Sequence, residues 1–226
     1  NVKLHYPNII EYPDSNTFIK KIVNQKIKEI KRQGKWLLFE LDDYYLLSHL
    51  RMEGKFYIKS EDDILNKHEH VTFILDNNKE LRYQDTRKFG RMYLYKKEEV
   101  FNKKPLNELG KEPWDKDLTV NYLKDKYKNK SLPIKTIILD QTIVTGIGNI
   151  YADEILFLSN INPLKKSSLL DEKELERIIL NTKKVLEKAI KLGGTTIRTF
   201  SAGEVHGRFQ NELLVHGKVN EPCPVC

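Results

Sequence analysis

Short hydrophobic runs separated by polar turns dominate the first half of the chain. Between Lys35 and Tyr95 these runs are rich in Leu, β-branched and aromatic residues: KWLLFEL, YYLLSHL, KFYI, HVTFIL, ELRY and FGRMYLY. Turn residues such as Asp42-Asp43 and Asp76-Asn77-Asn78 stand between them. Runs of this kind are typical of antiparallel strands. Their spacing predicts a β-sandwich rather than parallel strands joined by helices.

A basic stretch near the start of the chain interrupts this rhythm. Residues 16–34, NTFIKKIVNQKIKEIKRQG, are compatible with a short helix and a strand. The apolar positions that would form one face of this stretch are Phe18, Ile19, Ile22, Val23, Ile27 and Ile30.

The second half of the chain has helical spacing. Pro105–Trp114 contains two Pro and one Gly, which is the composition of a linker between domains. Beyond it, helices are predicted over Leu118–Lys130, Pro133–Gln141, Asn149–Leu158 and Asp171–Leu192. The last is the clearest, with Gly193-Gly194 as its stop and with Leu175, Ile178, Ile179, Val185, Leu186 and Ile190 on one side. The pattern therefore predicts a helical second domain.

The amino-acid composition indicates the class of molecule that the protein binds. The 226 residues suffice for two modest domains. Lys and Arg number 39 against 32 Asp and Glu, a net charge of +7 that favours an anionic partner such as nucleic acid. A lysine-rich proteome explains the same charge equally well. Neither a membrane span nor a signal peptide is evident, so we expect a soluble, intracellular protein.

Two local motifs suggest chemistry. In Val144–Leu156, VTGIGNIYADEIL, a glycine-containing turn precedes Asn149 at a helix start, where backbone N–H groups can bind phosphate. Such a pattern alone is more often only a turn. Cys223 and Cys226 form Cys-Pro-Val-Cys, half of a zinc site. Either two further ligands follow or the pair binds nothing. A start at Asn1 and an end on a metal ligand indicate part of a longer protein.

The string GIGNIYADE resembles the helix-two-turns-helix signature of the formamidopyrimidine-DNA glycosylases. The resemblance continues in family order through GKWLLFEL, HLRMEGKF, LRYQDTRKFG, LDQTIVTGIGNIYADEIL, GGTT and GKVNEPCPVC, nearly the whole chain. It implies an α+β fold with a β-sandwich domain at 1–110 and a helix-two-turns-helix domain at 115–200. Residues 201–226 would hold a lesion-capping loop and half of a four-cysteine zinc-finger hairpin, with FQNELLVHG as its first strand.

The resemblance implies a bifunctional glycosylase and abasic-site lyase of base-excision repair. Its expected substrates are formamidopyrimidines and 8-oxoguanine opposite cytosine in double-stranded DNA, and we expect a monomer in the bacterial cytoplasm at the nucleoid. The family nucleophile is the amine of an N-terminal proline followed by a glutamate, which forms a Schiff base before β,δ-elimination. Asn1 is not that proline, so the Pro-Glu pair is expected ahead of it.

The resemblance implies roles for several residues of this sequence. Lys35 matches the catalytic lysine beside the abasic sugar, although by itself it reads as a solvated strand-end lysine. Met52, Arg87 and Phe89 match the trio that fills the gap left by the flipped nucleotide, with Arg87 also contacting the orphaned cytosine. Without the resemblance, Met52 and Phe89 are more commonly core residues. The charged neighbours of both favour loop tips.

The remaining roles concern DNA, the lesion and zinc. His68, Lys135 and Asn149 match DNA contacts. A basic run, Lys124, Lys126, Lys128 and Lys130, is a further candidate, although such runs are usually solvated faces. Ser131 departs from the basic residue that relatives often carry. Lesion contacts are expected from Glu53, Arg198, Thr199 and Phe200. Cys223 and Cys226 would supply two of the four ligands of one structural zinc ion in the full-length protein, and two ligands alone are expected to bind zinc weakly or not at all.

Two alternatives use the same scaffold: a non-catalytic damaged-DNA-binding protein, and an endonuclease VIII-like glycosylase for oxidised pyrimidines. NIYADE and Arg87-Lys88-Phe89 argue against the second. A third alternative, a generic basic two-domain protein, predicts no preference for lesions.

Overall fold

The computed structural model describes residues 1–195 and 207–225. Its contacts divide the chain into two compact units, Asn1–Asn107 and Glu108–Cys226. The first unit consists mainly of strands, and the second is built around helices.

Nine strands form two sheets in the first unit. Their bounds are β1 Val2–Leu4, β2 Ile10–Tyr12, β3 Glu29–Gln33, β4 Trp36–Glu40, β5 Tyr44–His49, β6 Lys55–Ser60, β7 Glu69–Ile74, β8 Lys79–Gln84 and β9 Arg91–Lys96. One sheet has the order β1-β7-β8-β6, and the other has the order β2-β9-β5-β4-β3. The predicted antiparallel sandwich is confirmed, with one correction: β2 pairs with β9 in parallel.

The core of this unit lies between the two sheets. Phe39 and Leu94 from the five-stranded sheet share one buried cluster with Val71, Phe73 and Tyr83 from the four-stranded sheet. The alternating apolar positions of the sequence thus face each other, as in other sandwiches.

The basic stretch 16–34 contains the expected helix and strand. Helix α1 (Ser15–Ile22) is capped by Asp14, whose carboxylate accepts the N–H of Thr17, and it buries Phe18 completely. The proposed common apolar face is wrong for Ile27 and Ile30, which are 38% and 56% exposed. Both lie beyond the end of α1, so they do not share its periodicity.

The second unit packs its helices around a separate core. The helices are α2 Val120–Tyr127, α3 Ile134–Ile137, α4 Asn149–Leu158 and α5 Glu172–Lys191. Asp171 and Glu174 form a reciprocal capping box at the start of α5. Leu175, Ile178, Val185 and Leu186 are buried as predicted, but Ile190 is 65% exposed. None of the helices within the described residues is long and apolar enough to cross a membrane.

Two predicted elements of this unit differ in the structure. Helix α3 ends at Ile137 rather than Gln141, because the side chains of Asp140 and Gln141 bind the N–H groups of Thr142 and Gly146 and stabilise turns. The segment FQNELLVHG begins with a 3₁₀ turn, Phe209–Glu212, instead of a strand. Phe209 is buried in the helical core, and no strand occurs in the described stretch 207–225.

Candidate functional site

Three exposed side chains of the first unit meet at the tips of two loops. Nη1 of Arg87 lies 3.0 Å from Sδ of Met52, and the guanidinium lies 4.7 Å from the centre of the Phe89 ring. Met52 is 63% exposed and Phe89 is 45% exposed, so neither is a core residue. We call Met52, Arg87 and Phe89 the loop-tip cluster. It combines a flexible thioether, a planar cation and an aromatic ring at the surface.

A buried carboxylate organises the loop that carries Arg87 and Phe89. Oδ1 of Asp85 accepts the N–H of Arg87 at 3.0 Å, and Oδ2 accepts the N–H of Gly90 at 2.8 Å and the Tyr83 hydroxyl at 3.2 Å. Asp85 is completely buried. Three donors therefore hold the base of the loop, while the side chains at its tip remain exposed.

Both loops also pack against the same hydroxyl. A Cβ added to Gly90 would lie 1.8 Å from the Tyr83 oxygen, and one added to Gly54 would lie 2.4 Å from it. Only glycine permits these approaches. Burial, reinforced by the charge of Asp85, raises the pKa of Tyr83 far above its ordinary value, so its hydroxyl remains a donor at neutral pH.

A cationic corner lies where β4 begins and β5 ends. Trp36 pairs with His49 across these strands, and their rings meet edge to face at 4.8 Å. Nδ1 of His49 accepts the N–H of Arg51 at 3.0 Å. Burial, followed by the charges of Arg51 and Lys35, lowers the pKa of His49 to about 4. His49 is therefore neutral at physiological pH, and Nε2 carries its proton.

Lys35 completes this corner. Desolvation by the surrounding protein and then the charge of Arg51 lower its pKa, although the side chain keeps an exposed surface. The corner can attract an anion through two cations and an N–H donor. The sequence analysis identified Lys35 but missed His49 and Arg51. Both occur in the quoted motif HLRMEGKF, so the motif held a signal for them.

His68 and Glu53 lie in or beside these same loops. The backbone carbonyl of His68 accepts the N–H of Asp85 at 2.9 Å, and its side chain is half-buried. Glu53 follows Met52 and is also half-buried. The neighbouring His70 is buried, and its Nε2 donates to the carbonyl of Asp85 at 2.8 Å. Burial lowers the pKa of His70, so this ring supports the loop as a neutral donor.

The second unit presents the other predicted contacts around α4. Asn149 is exposed in the first turn, and no side chain of the described part of the chain caps this helix start. Gln141 fixes the preceding turn by accepting the N–H of Gly146 and donating to the carbonyl of Ile147. Lys135 on α3 pairs with Asp153, which lies four residues after Asn149 and so on the same helix face.

His216 joins Lys135 at the same carboxylate. Its Nδ1 lies 2.8 Å from Oδ2 of Asp153. We call Lys135, Asp153 and His216 the α4 ion cluster. The sequence analysis missed Asp153 and His216 because the segment around His216 was expected to be a strand and because the contact spans 63 positions.

The basic run of α2 and its following turn is largely neutralised. Lys124 pairs with Glu172, Lys128 with Asp125 and Lys130 with Asp140. Lys126 lies over the Tyr122 ring at 5.7 Å. Ser131 is exposed. These contacts favour the interpretation of the run as a solvated face.

Most of the residues predicted to form the lesion-capping loop or to bind zinc lie outside the described part of the chain. Arg198, Thr199, Phe200 and Cys226 lie outside the described residues. Cys223 is exposed. Within 1–195 and 207–225, no three His, Cys, Asp or Glu side chains are grouped closely enough to hold a metal ion. The described residues thus do not themselves assemble a four-ligand zinc shell.

Comparison with known proteins matches both units. Residues 1–92 match the sequence model of the formamidopyrimidine-DNA glycosylase N-terminal domain, and residues 109–201 match that of the formamidopyrimidine-DNA glycosylase H2TH domain. The formamidopyrimidine-DNA glycosylase of Oceanobacillus iheyensis is 47% identical, over 100% of this chain and 81% of that protein. The Bacillus subtilis protein of the same description is 42% identical, over 100% and 83%.

Solved structures show the same similarity in three dimensions. The complex of Lactococcus lactis Fpg with DNA containing an abasic site has a TM-score of 0.91 and 38% identity, over 100% of this chain and 83% of that one. The complex of wild-type Lactococcus lactis Fpg with DNA containing N7-benzyl-Fapy-dG has a TM-score of 0.91 and 37% identity, over 100% of this chain and 82% of that one.

Proposed function

Because the chain belongs to the formamidopyrimidine-DNA glycosylase family, a family of DNA repair glycosylases, we propose that it excises formamidopyrimidines and 8-oxoguanine opposite cytosine. We propose further that it then nicks the strand as an abasic-site lyase. The observation that carries the proposal is the loop-tip cluster. The Lactococcus lactis complexes hold Fapy-dG-derived and abasic-site DNA, which are the substrate and intermediate of such a reaction sequence.

The loop-tip cluster suits the replacement of an extruded nucleotide. Flipping a base out of the duplex costs a few kcal/mol of stacking and pairing. Met52 and Phe89 offer apolar surface that is exposed in the free protein and would be buried in the stack. The Arg87 guanidinium keeps further N–H donors beyond its contact with Met52, and these match the acceptor edge of an unpaired cytosine.

The cationic corner suits the sugar-phosphate beside the lesion. Arg51 and the Nε2–H of His49 would hold a phosphate, and Lys35 would contact the reacting sugar. Its lowered pKa makes Lys35 a better proton donor than an ordinary lysine during elimination. The nucleophile in this proposal is the amine of an N-terminal Pro-Glu segment ahead of Asn1, which rests on the family resemblance alone.

We propose contacts with the DNA backbone separately for each unit. His68 would contact DNA from the first unit, and Lys135 and Asn149 would do so from the second. Glu53, Arg198, Thr199 and Phe200 remain proposed lesion contacts. We also propose a structural zinc ion held partly by Cys223 and Cys226, a monomeric state and a location at the nucleoid. Metal analysis of the purified protein tests the zinc.

The test is excision by variants of the loop-tip cluster. We expect Arg87→Ala and Phe89→Ala to lower single-turnover excision of 8-oxoguanine opposite cytosine at least about tenfold, since a lost stacking or pairing contact is worth more than about 1.4 kcal/mol. Phe101→Ala is the matched control, because Phe101 is 53% exposed in the same unit but its ring meets that of Tyr45 edge to face.

The outcomes separate the alternatives. Equal rates for all three variants and the unaltered protein would contradict the proposed role of the cluster. Preferential excision of an oxidised pyrimidine would favour an endonuclease VIII-like enzyme. Tight lesion binding without excision by any form would favour a non-catalytic binder.

A further inference from the structure

Two adjacent carboxylates on α4 have different tasks. Glu154 is 2% exposed, and its two oxygens accept the backbone N–H groups of Leu214, Val215 and His216 at 2.9, 3.0 and 2.9 Å. Three consecutive amides therefore converge on one buried anion. These bonds fix the backbone of His216 against the helix independently of the contact that its side chain makes.

Asp153 then binds two donors from different elements. Its Oδ1 pairs with Lys135 of α3, and its Oδ2 pairs with Nδ1 of His216 at 2.8 Å. The carboxylate side chain is 22% exposed, whereas those of Lys135 and His216 are 37% and 26% exposed. Although burial raises its pKa, the bonds from Lys135 and His216 outweigh burial, so the pKa of Asp153 is lowered and the group is ionised.

The α4 ion cluster lies on the helix face that carries Asn149. Lys135 and Asn149 are the phosphate contacts proposed above, and Asp153 is four residues from Asn149. A carboxylate in the middle of a phosphate-binding surface is unfavourable by charge alone. The two bonds of Asp153 offset this cost, because they hold a lysine and a histidine side by side on the surface.

We propose that Asp153 is a positioning residue that holds Lys135 and His216 together for one DNA phosphate, and that His216 takes up a proton when the phosphate binds. The inference rests on the proposed function of this surface in DNA binding. With neutral His216, the charges of Lys135 and Asp153 cancel. Protonation gives the cluster a net positive charge, and a ring between a carboxylate and a phosphate favours the protonated form.

Charged groups from three elements surround His216. Asp153 and Glu154 face it from α4, and Lys135 reaches the shared carboxylate from α3. On its own segment, Glu212 is engaged by Lys188 and Lys218 by Glu221. Among residues 1–195 and 207–225, Asp153 is thus the carboxylate in direct contact with the ring.

The first test separates positioning from charge. We expect Asp153→Asn to weaken binding to a duplex containing a tetrahydrofuran abasic-site analogue about three- to tenfold at pH 6.5, the effect of one charge-assisted contact. Asp125→Asn is the matched control, since it removes the same charge from an exposed pair with Lys128 in the same unit. The control should leave binding unchanged or strengthen it. Fluorescence anisotropy measures both, and thermal melting verifies that each variant is folded.

The second test is the pH profile of the same binding. Affinity should increase as pH falls from 8 to 6, by at most about tenfold per unit for one proton. His216→Gln and Asp153→Asn should both lose this increment, a change that a merely structural role would not produce. Lys135→Met should weaken binding throughout the pH range and keep the increment.

Two results would overturn the inference while leaving DNA binding by this surface intact. One is stronger binding by Asp153→Asn, as for Asp125→Asn. The other is an unchanged pH increment in His216→Gln. If Lys135→Met also binds as well as the unaltered protein, the proposed DNA surface itself fails.

Discussion

His49 shows how a single residue acquires its properties from its neighbours, here its cross-strand partner Trp36 and the nearby cations Arg51 and Lys35. Its ring packs against Trp36 of β4, its Nδ1 accepts the N–H of Arg51, and two cations stand beside it. Each influence favours the neutral ring. At physiological pH His49 can therefore donate from Nε2 without adding a third charge to the cationic corner.

The lowered pKa of His49 predicts how the stability of the protein depends on pH. The folded pKa, about 4, is below the ordinary histidine value of 6.5, so the unfolded chain binds the proton more readily. Stability should therefore be fully present above pH 6.5 and decline as pH falls from 6.5 towards 4. Histidine NMR titration should show one ring with a pKa near 4. The signal should disappear in His49→Gln, and that variant should lose this part of the pH dependence in urea unfolding. A ring titrating near 6.5 at this position would contradict the prediction.

At the scale of elements, sequence periodicity identified the long strands and helices but not the edges and loops. The six runs between Lys35 and Tyr95 correspond to β4–β9, and Asn149–Leu158 is a helix with the predicted bounds. The short strands β1 and β2 were not predicted, because three residues give too little alternation. The strand expected in FQNELLVHG fails because Glu154 binds the N–H groups that a partner strand would have used.

The two glycine-containing loops give a prediction at this scale. Gly90→Ala should destabilise the protein by about 1–3 kcal/mol, the usual cost of overpacking a filled interior, because its Cβ would overlap the buried Tyr83 hydroxyl. Urea unfolding measures the change. Removal of that hydroxyl by Tyr83→Phe should make the double variant less unstable than the two single changes predict together. Strict additivity would show that the Tyr83 hydroxyl is not the obstacle.

For the whole molecule, the sequence indicated the fold and the chemistry of the exposed tips, but not the groups that hold them. Met52, Arg87, Phe89 and Lys35 are recognisable in motifs. Asp85 supports the tips through contacts that appear only when the loop folds back on Tyr83. The shared carboxylate of the α4 ion cluster likewise requires three elements to meet. Residues that act through others leave no spacing that a single sequence can show.

The measurement that tests the central proposal most directly is borohydride trapping on duplex DNA that carries 8-oxoguanine opposite cytosine. A Schiff base between protein and sugar becomes a stable covalent adduct on reduction. We predict an adduct from the protein that carries an N-terminal Pro-Glu and none from the chain that begins at Asn1. Absence of any adduct, with tight lesion binding retained, would contradict the proposed enzymatic activity. An adduct from the chain that begins at Asn1 would contradict the assignment of the nucleophile.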